Sequence, residues 1–305
     1  MTTVKTVTTV TPVTKIARPP VIILGMHRSG TSLLARLLEK QGLFVGWKLA
    51  ANHEASYFNK RNSWLLASAG GRWDTPAAFD HVLDDHAGLA LATDYLRQGL
   101  SALPIVEFLG PRRYLSYRSL LAVREPWGWK DPRTTVTLPI WLALFPEARL
   151  VHMVRNGVDV AQSLTKRQGA GRELGRQNLE RHPKLIQLLP KKGWFGTSPR
   201  AASRESAFQI WEEYLAYAER FTAGMGERLL ELRYEELLAS PQREMERLLD
   251  FCGLSPDPET LAASLSGIDA DRAYSFRHDR ELRELWQARR ESPWMIRYGY
   301  DSVNV

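Results

Sequence analysis

From Val21 to Leu38 the chain reads VIILGMHRSGTSLLARLL, an apolar run followed by two glycines, a basic side chain and two hydroxyls. Successive backbone N–H groups in a glycine-bearing turn that feeds a helix N-terminus form an anion cradle. Gly25 and Gly30, four residues apart in the gap between them, allow the tight path and close approach, while Thr31 and Ser32 add hydroxyl donors. A nucleotide triphosphatase places lysine directly after the second glycine, to reach the β- and γ-phosphates beside magnesium. Here Thr31 stands at that point and Arg28 sits inside the loop. That exchange favours an anion neutralised by a side chain over a metal-bound triphosphate.

A second constellation also suits an anion. Arg155 ends the apolar run LVHMV, Ser163 lies eight residues on, and Arg167 follows Ser163 by four, on the same helical face. Three groups are candidate proton acceptors: Glu54 and His53 in HEASYF, and His27 in the glycine loop. Histidine titrates nearest neutrality. The histidines are scattered without paired ligand spacing, so no metal site is expected.

These residues need elements to hold them. Val21–Leu24 is short, β-branched and wholly apolar, as a strand buried on both faces of a parallel sheet would be. Leu33, Leu34, Leu37 and Leu38 follow at helical spacing, and Gly42 stops the helix. GLFVG (42–46) predicts a second short strand, and residues 84–117 read as largely helical. EPWGWKDPR suggests a strand end and turn, PIWLALFPEA a helix, and LVHMV another strand. RNGVDVAQS then turns into a helix with Asp159 as its expected N-cap. Residues 168–200, basic and rich in glycine and proline, read as a long loop or lid. A helix over 204–220, a strand over 229–233 and a helix from Pro241 to Gly253 follow. The tail from Asp269 resists assignment. Alternating strands and helices predict an α/β fold with a mostly parallel sheet flanked by helices, and ligands at the carboxyl ends of the strands. Residues 1–18 are expected to form a tail or added edge strand, and 19–305 a single domain.

The 305 residues are 44% hydrophobic and 25% charged, ordinary for a globular protein with a substantial core. A net charge of +7 suits an anionic ligand. The basic residues are dispersed rather than clustered, so no nucleic-acid partner is expected. Apolar runs fall short of the roughly 20 residues a membrane helix needs. The lone cysteine, Cys252, excludes an internal disulfide and reads as a small buried residue, so a reducing, cytoplasmic setting is the expectation.

The two anion motifs, in this order and each after an apolar strand, resemble those of sulfotransferases that use 3′-phosphoadenosine 5′-phosphosulfate (PAPS). HRSGTS is similar to that family's 5′-phosphosulfate loop, with His27 where the family has proline. The resemblance implies a three-layer P-loop-like fold and PAPS as cofactor, with 3′,5′-adenosine bisphosphate as product. It implies that Ser29, Gly30, Thr31 and Ser32 wrap the 5′-phosphate and that Arg28 faces the bridging oxygen. Arg155 and Ser163 would read the 3′-phosphate, and Arg167 resembles a further phosphate contact of the tyrosylprotein branch. LRYEELLASP resembles a C-terminal segment whose tyrosine, here Tyr234, lies near the nucleotide. WGWKDPR resembles one whose lysine, here Lys130, touches the sulfonate. Glu54 resembles the glutamate base of glycosaminoglycan sulfotransferases, with His53 as the alternative. The acceptor is then expected to be a hydroxyl on a carbohydrate or lipid-linked glycan, with hydroxylated natural products and tyrosyl peptides as alternatives. From other classes, a P-loop kinase and a non-catalytic nucleotide-binding scaffold are the competing readings.

Overall fold

The computed structural model describes residues 16–188 and 194–304. Most of the expected N-terminal strand or tail, and Lys191 and Lys192 of the basic stretch, lie outside the described residues.

The apolar run Val21–Leu24 forms β1, buried along its whole length. It lies between β2 (Gly128–Lys130) and β3 (Arg149–Val154), with β4 (Leu229–Arg233) beyond β3. All pairings are parallel, with Ile22 opposite both Trp129 and Leu150. Side chains alternate between two cores. Ile22, Leu24, Leu150 and Val154 pack with the helices Thr134–Leu144 and Arg204–Thr222. Val21, Ile23, Val151 and Met153 pack with α1 (Thr31–Lys40) and the Pro241–Cys252 helix. Helices thus cover both faces, giving the three-layer P-loop-like fold. This two-sided burial explains why the strands read as continuous apolar runs rather than alternating ones.

A parallel sheet places the carboxyl ends of its strands along one edge. β1 ends into the glycine loop, β2 ends at Lys130, β3 runs into Arg155 and β4 into Tyr234. Residues more than two hundred positions apart are thereby brought to one rim.

Several local expectations change. The 42–46 stretch gives only an isolated bridge, Phe44 to Trp127. The helix after β3 spans Gly157–Arg181, well into the stretch expected to be a loop. Two of its glycines, Gly171 and Gly175, serve close approach instead of ending the helix. A Cβ on Gly171 would lie 2.6 Å from the Cα of Gly196, and one on Gly175 would lie 2.8 Å from the Phe195 ring. Gln168 secures the same contact by donating to the Phe195 carbonyl and accepting from the N–H groups of Thr197 and Ser198. The N-cap is Asn156, which accepts from the N–H groups of Val158 and Asp159. Asp159 instead receives Ser275 and the Phe276 N–H. The C-terminal segment is therefore docked, with Phe276, Met295 and Tyr300 fully buried and the Tyr300 hydroxyl donating to Glu235.

One buried amide joins the second helix, α2 (Ser56–Ser68), to the segment after β2. Asn62 donates to Asp131 and Thr134, and accepts from Thr137 and from the Trp141 indole. Replacing it with an isosteric apolar group strands several of these partners, each at about 1–3 kcal/mol. Asn62→Leu is expected to lower unfolding free energy by about 3 kcal/mol or more, measured by urea denaturation. An unchanged midpoint would show that the network contributes nothing.

Candidate active site

β1 delivers the chain into Gly25, where φ is 137° and an added Cβ would sit 2.4 Å from the Met153 carbonyl oxygen. Arg28 and Gly30 also adopt positive φ, 74° and 99°. Ser29 is buried, and both its hydroxyl and its N–H donate to the Met26 carbonyl. Its side chain closes the turn on Met26 and is not part of the lining of the cavity onto which the loop opens. Gly30 begins α1 with no side-chain cap and no acidic residue in the first turn. The N–H groups of Gly30, Thr31 and Ser32 have no backbone acceptor among the described residues. Orphan donors at the positive end of a helix are what an anion requires.

The loop opens on a polar cavity of about 200 Å³. His27, Arg28, Gly30, Thr31 and Ser32 line it together with Glu54, Lys130, Arg155, Arg167 and Tyr234. The distant residues singled out in the sequence thus meet at one site. A larger cavity of about 640 Å³ along the far half of α2 is lined by Trp64, Leu89, Leu91 and Tyr95 among others, and shares no residue with the polar one.

One wall is cationic. The Arg28 Nε donates to Ser163 Oγ at 2.8 Å, leaving the hydroxyl proton free to be donated elsewhere. Arg155 is held from several sides. It donates to the carbonyls of Arg28 and Arg272, pairs with Asp159 at 3.6 Å, and lies over the Tyr234 ring at 4.6 Å. Partial burial and the Arg155 charge hold Arg28 below its ordinary range. Burial and then Arg28 do the same to Arg167. Tyr234 closes the floor, with Gly30 so near that a Cβ there would meet its ring at 2.4 Å.

The opposite wall carries the carboxylate. Glu54 is 4% exposed. Its Oε1 accepts from the Lys130 Nζ at 3.3 Å, and its Oε2 from Asn59 at 2.6 Å and Arg133 at 3.4 Å. The Lys130 ammonium also donates to the Asn52 carbonyl, which takes the Ser32 hydroxyl as well. Burial lowers Lys130 from its ordinary value, opposed by Glu54 and Asp131. Burial raises Asp131, opposed by Arg133.

His53 is placed differently from the expectation of an alternative base. Its backbone turns left-handed, with φ 59°, and its Nε2 meets Glu39 of α1 at 2.7 Å outside the cavity. His27 does line the cavity. Residues that had not been singled out include Arg133, Asn59, Arg36, Asn52 and Arg272. Arg133 stood in view at the end of WGWKDPR. Arg272 carries no local signal, because the clamp between Asp159 and Ser275 brings it in from the C-terminal segment.

A model of the sulfotransferase family matches residues 19–258. The chain belongs to that family. This sulfotransferase is 23% identical to the omega-hydroxy-beta-dihydromenaquinone-9 sulfotransferases of Mycobacterium bovis and Mycobacterium tuberculosis, over 94% of its own length and 77% of theirs. Among solved structures it is similar to the sulfotransferase domain of the curacin biosynthetic pathway. That match has 20% identity and a TM-score of 0.48, covering 89% of this chain and 97% of that one. A sulfotransferase of Mycobacterium avium matches at 18% identity and a TM-score of 0.42, covering 89% and 76%.

The loop geometry sets a direct test. Gly30→Ala forces a methyl into the Tyr234 ring from a left-handed backbone, and is expected to weaken binding of inorganic pyrophosphate about tenfold or more, about 1.4 kcal/mol. Calorimetric titration checks this, and undiminished affinity would show that the loop does not carry the anion.

Proposed function

We propose that this sulfotransferase moves the sulfuryl group of PAPS to an acceptor hydroxyl by in-line displacement, with Glu54 as the base. The observation that supports this most is the meeting, in one cavity, of uncapped loop N–H groups, a cationic wall and a buried carboxylate beside a lysine. The residues present fit the cofactor. Gly30, Thr31 and Ser32 offer their amides to the 5′-phosphate, with the Ser29 side chain fixing the turn. Arg155, Arg167 and the free proton of Ser163 suit the 3′-phosphate, and Tyr234 supports the nucleotide. PAPS supplies a sulfuryl group already attached to a phosphate leaving group.

Charge builds on that leaving group as the bond to sulfur breaks, so fixed cations aimed at it lower the barrier. Arg28 and Lys130 fill that role. The Lys130–Glu54 contact holds the base beside one of these cations. Asn59 and Arg133 orient the carboxylate. Glu54 takes the proton of the acceptor hydroxyl as the new S–O bond forms.

For the acceptor we favour a lipid-linked hydroxyl, with carbohydrate hydroxyls next. The mycobacterial relatives act, by their names, on a hydroxylated menaquinone derivative. Hydroxylated natural products and tyrosyl peptides are the alternatives. The kinase reading lacks the lysine after Gly30. A cytoplasmic setting suits Cys252, a buried thiol whose pKa burial pushes up to about 12, leaving it unreactive.

A radiolabelled sulfonate-transfer screen with PAPS against polyprenyl alcohols and quinols, glycans and phenols tests the reading. Label is expected in a hydroxylated lipid or glycan, and no transfer to any class would support the non-catalytic scaffold. Glu54→Gln is expected to cut turnover by roughly 10²–10⁴ while binding of 3′,5′-adenosine bisphosphate is retained. Unchanged turnover would remove Glu54 from the mechanism. Arg155→Ala is expected to weaken binding of that bisphosphate, and equal affinity by calorimetry would overturn the assignment of the 3′-phosphate.

A further inference from the structure

His27 stands where the resembling loops carry proline, and the reading above gives it no task. It lines the cavity yet is only 5% exposed, and its Nε2 is buried with no hydrogen-bond partner among the described residues. An imidazole nitrogen left unpaired in such a place, donor or acceptor, costs about 1–3 kcal/mol. The ring is not loose. It meets Trp73 edge-on at 4.7 Å and Tyr214 at 6.2 Å, and the Tyr214 hydroxyl donates to the Trp73 carbonyl behind it. A polar group fixed in this way, at an energetic cost, implies a partner that arrives with the ligand.

We propose that His27 is a catalytic hydrogen-bond donor that holds an oxygen of the sulfuryl group during transfer. The inference rests on the PAPS reading above and assigns one more residue to it. Two roles are open to a buried imidazole, donor or base, and its surroundings decide between them. Burial, then Arg133, Lys130, Arg167 and Arg28, all disfavour a proton added to the ring. A neutral imidazole among four cations is poorly placed to take a proton, which would make a fifth positive charge. In its neutral form it keeps one N–H to give to an anionic oxygen that those cations attract, as a neutral histidine can polarise a reacting group in other enzymes. Glu54 in the same cavity supplies the proton acceptor.

The step balances without a proton leaving His27. The acceptor oxygen forms the new bond to sulfur as the bond between sulfur and the 5′-phosphate oxygen breaks. The electron pair of the broken bond stays with the phosphate, and the acceptor's proton goes to Glu54. His27 bonds to a sulfuryl oxygen throughout and ends with the proton it began with.

The test uses three variants of the full chain. Glutamine can place an amide N–H near the position of the imidazole Nε2, whereas phenylalanine and leucine keep apolar bulk without a donor. His27→Gln is expected to keep turnover within about tenfold of the wild type. His27→Phe and His27→Leu are expected to lose about 10²–10³ in kcat, the usual cost of one such donor. A second readout needs no turnover. Calorimetry without acceptor compares affinity for PAPS with affinity for 3′,5′-adenosine bisphosphate, and the ratio isolates the sulfonate. His27→Gln is expected to keep the wild-type ratio, and the two apolar variants to lose it. Retained binding of the bisphosphate shows that a variant is folded, and either apolar variant suffices. Full activity in an apolar variant would overturn the proposal by showing that His27 only packs. Loss in His27→Gln as deep as in the apolar variants would overturn it in favour of a base. Absence of transfer by the wild type across all acceptors would instead count against the PAPS reading itself.

Discussion

Like charges confined to one cavity are the constraint on which this structure depends. Arg28 and Arg155 repel each other, as do Arg28 and Arg167, and burial worsens the cost for each affected group. The uncapped end of α1 adds partial positive charge to the same space. Some of this is balanced by Asp159 on Arg155, and by Glu54, which itself lines the cavity, and Asp131 on Lys130 and Arg133. The cavity lining still holds more cations than its one carboxylate, Glu54, offsets. The fold holds these cations together at an energetic cost that a bound anion relieves.

The rest of the architecture maintains that arrangement. Four parallel strands end on one rim, so the glycine loop, Lys130, Arg155 and Tyr234 need no long excursions to meet. Asn62 fixes α2 against the segment after β2, and thereby Glu54 against Lys130. Asp159 ties the C-terminal segment to the start of the helix that carries Ser163 and Arg167, and Arg272 enters the cavity with it. The same aspartate pairs with Arg155. Packing of the last residues and charge in the cavity are therefore linked through one carboxylate.

The parts legible in the sequence are those encoded locally. The strand–loop–helix units announced themselves through apolar runs and glycines, and the spacing from Arg155 to Ser163 carried over directly onto the helix after β3. Features that depend on distant contacts were not legible. Glycines at 171 and 175 argue for a loop when read alone, and only the approach of Gly196 and Phe195 explains them inside a helix. Asp159 resembled an N-cap because it follows a glycine, yet Asn156 already fills that position. His53 and Glu54 are neighbours in sequence, and the left-handed backbone at His53 separates their side chains. Arg272 had no signal, since its place follows from the docking of a segment whose own pattern was obscure.

A crystal structure of the full chain soaked with 3′,5′-adenosine bisphosphate tests the central claim most directly. The account predicts the 5′-phosphate on the amides of Gly30 to Ser32, and the 3′-phosphate between Arg155, Ser163 and Arg167. It also predicts that the Ser163 hydroxyl donates to a phosphate oxygen while still accepting from Arg28. A nucleotide bound elsewhere, or one with its two phosphates reversed, would contradict it.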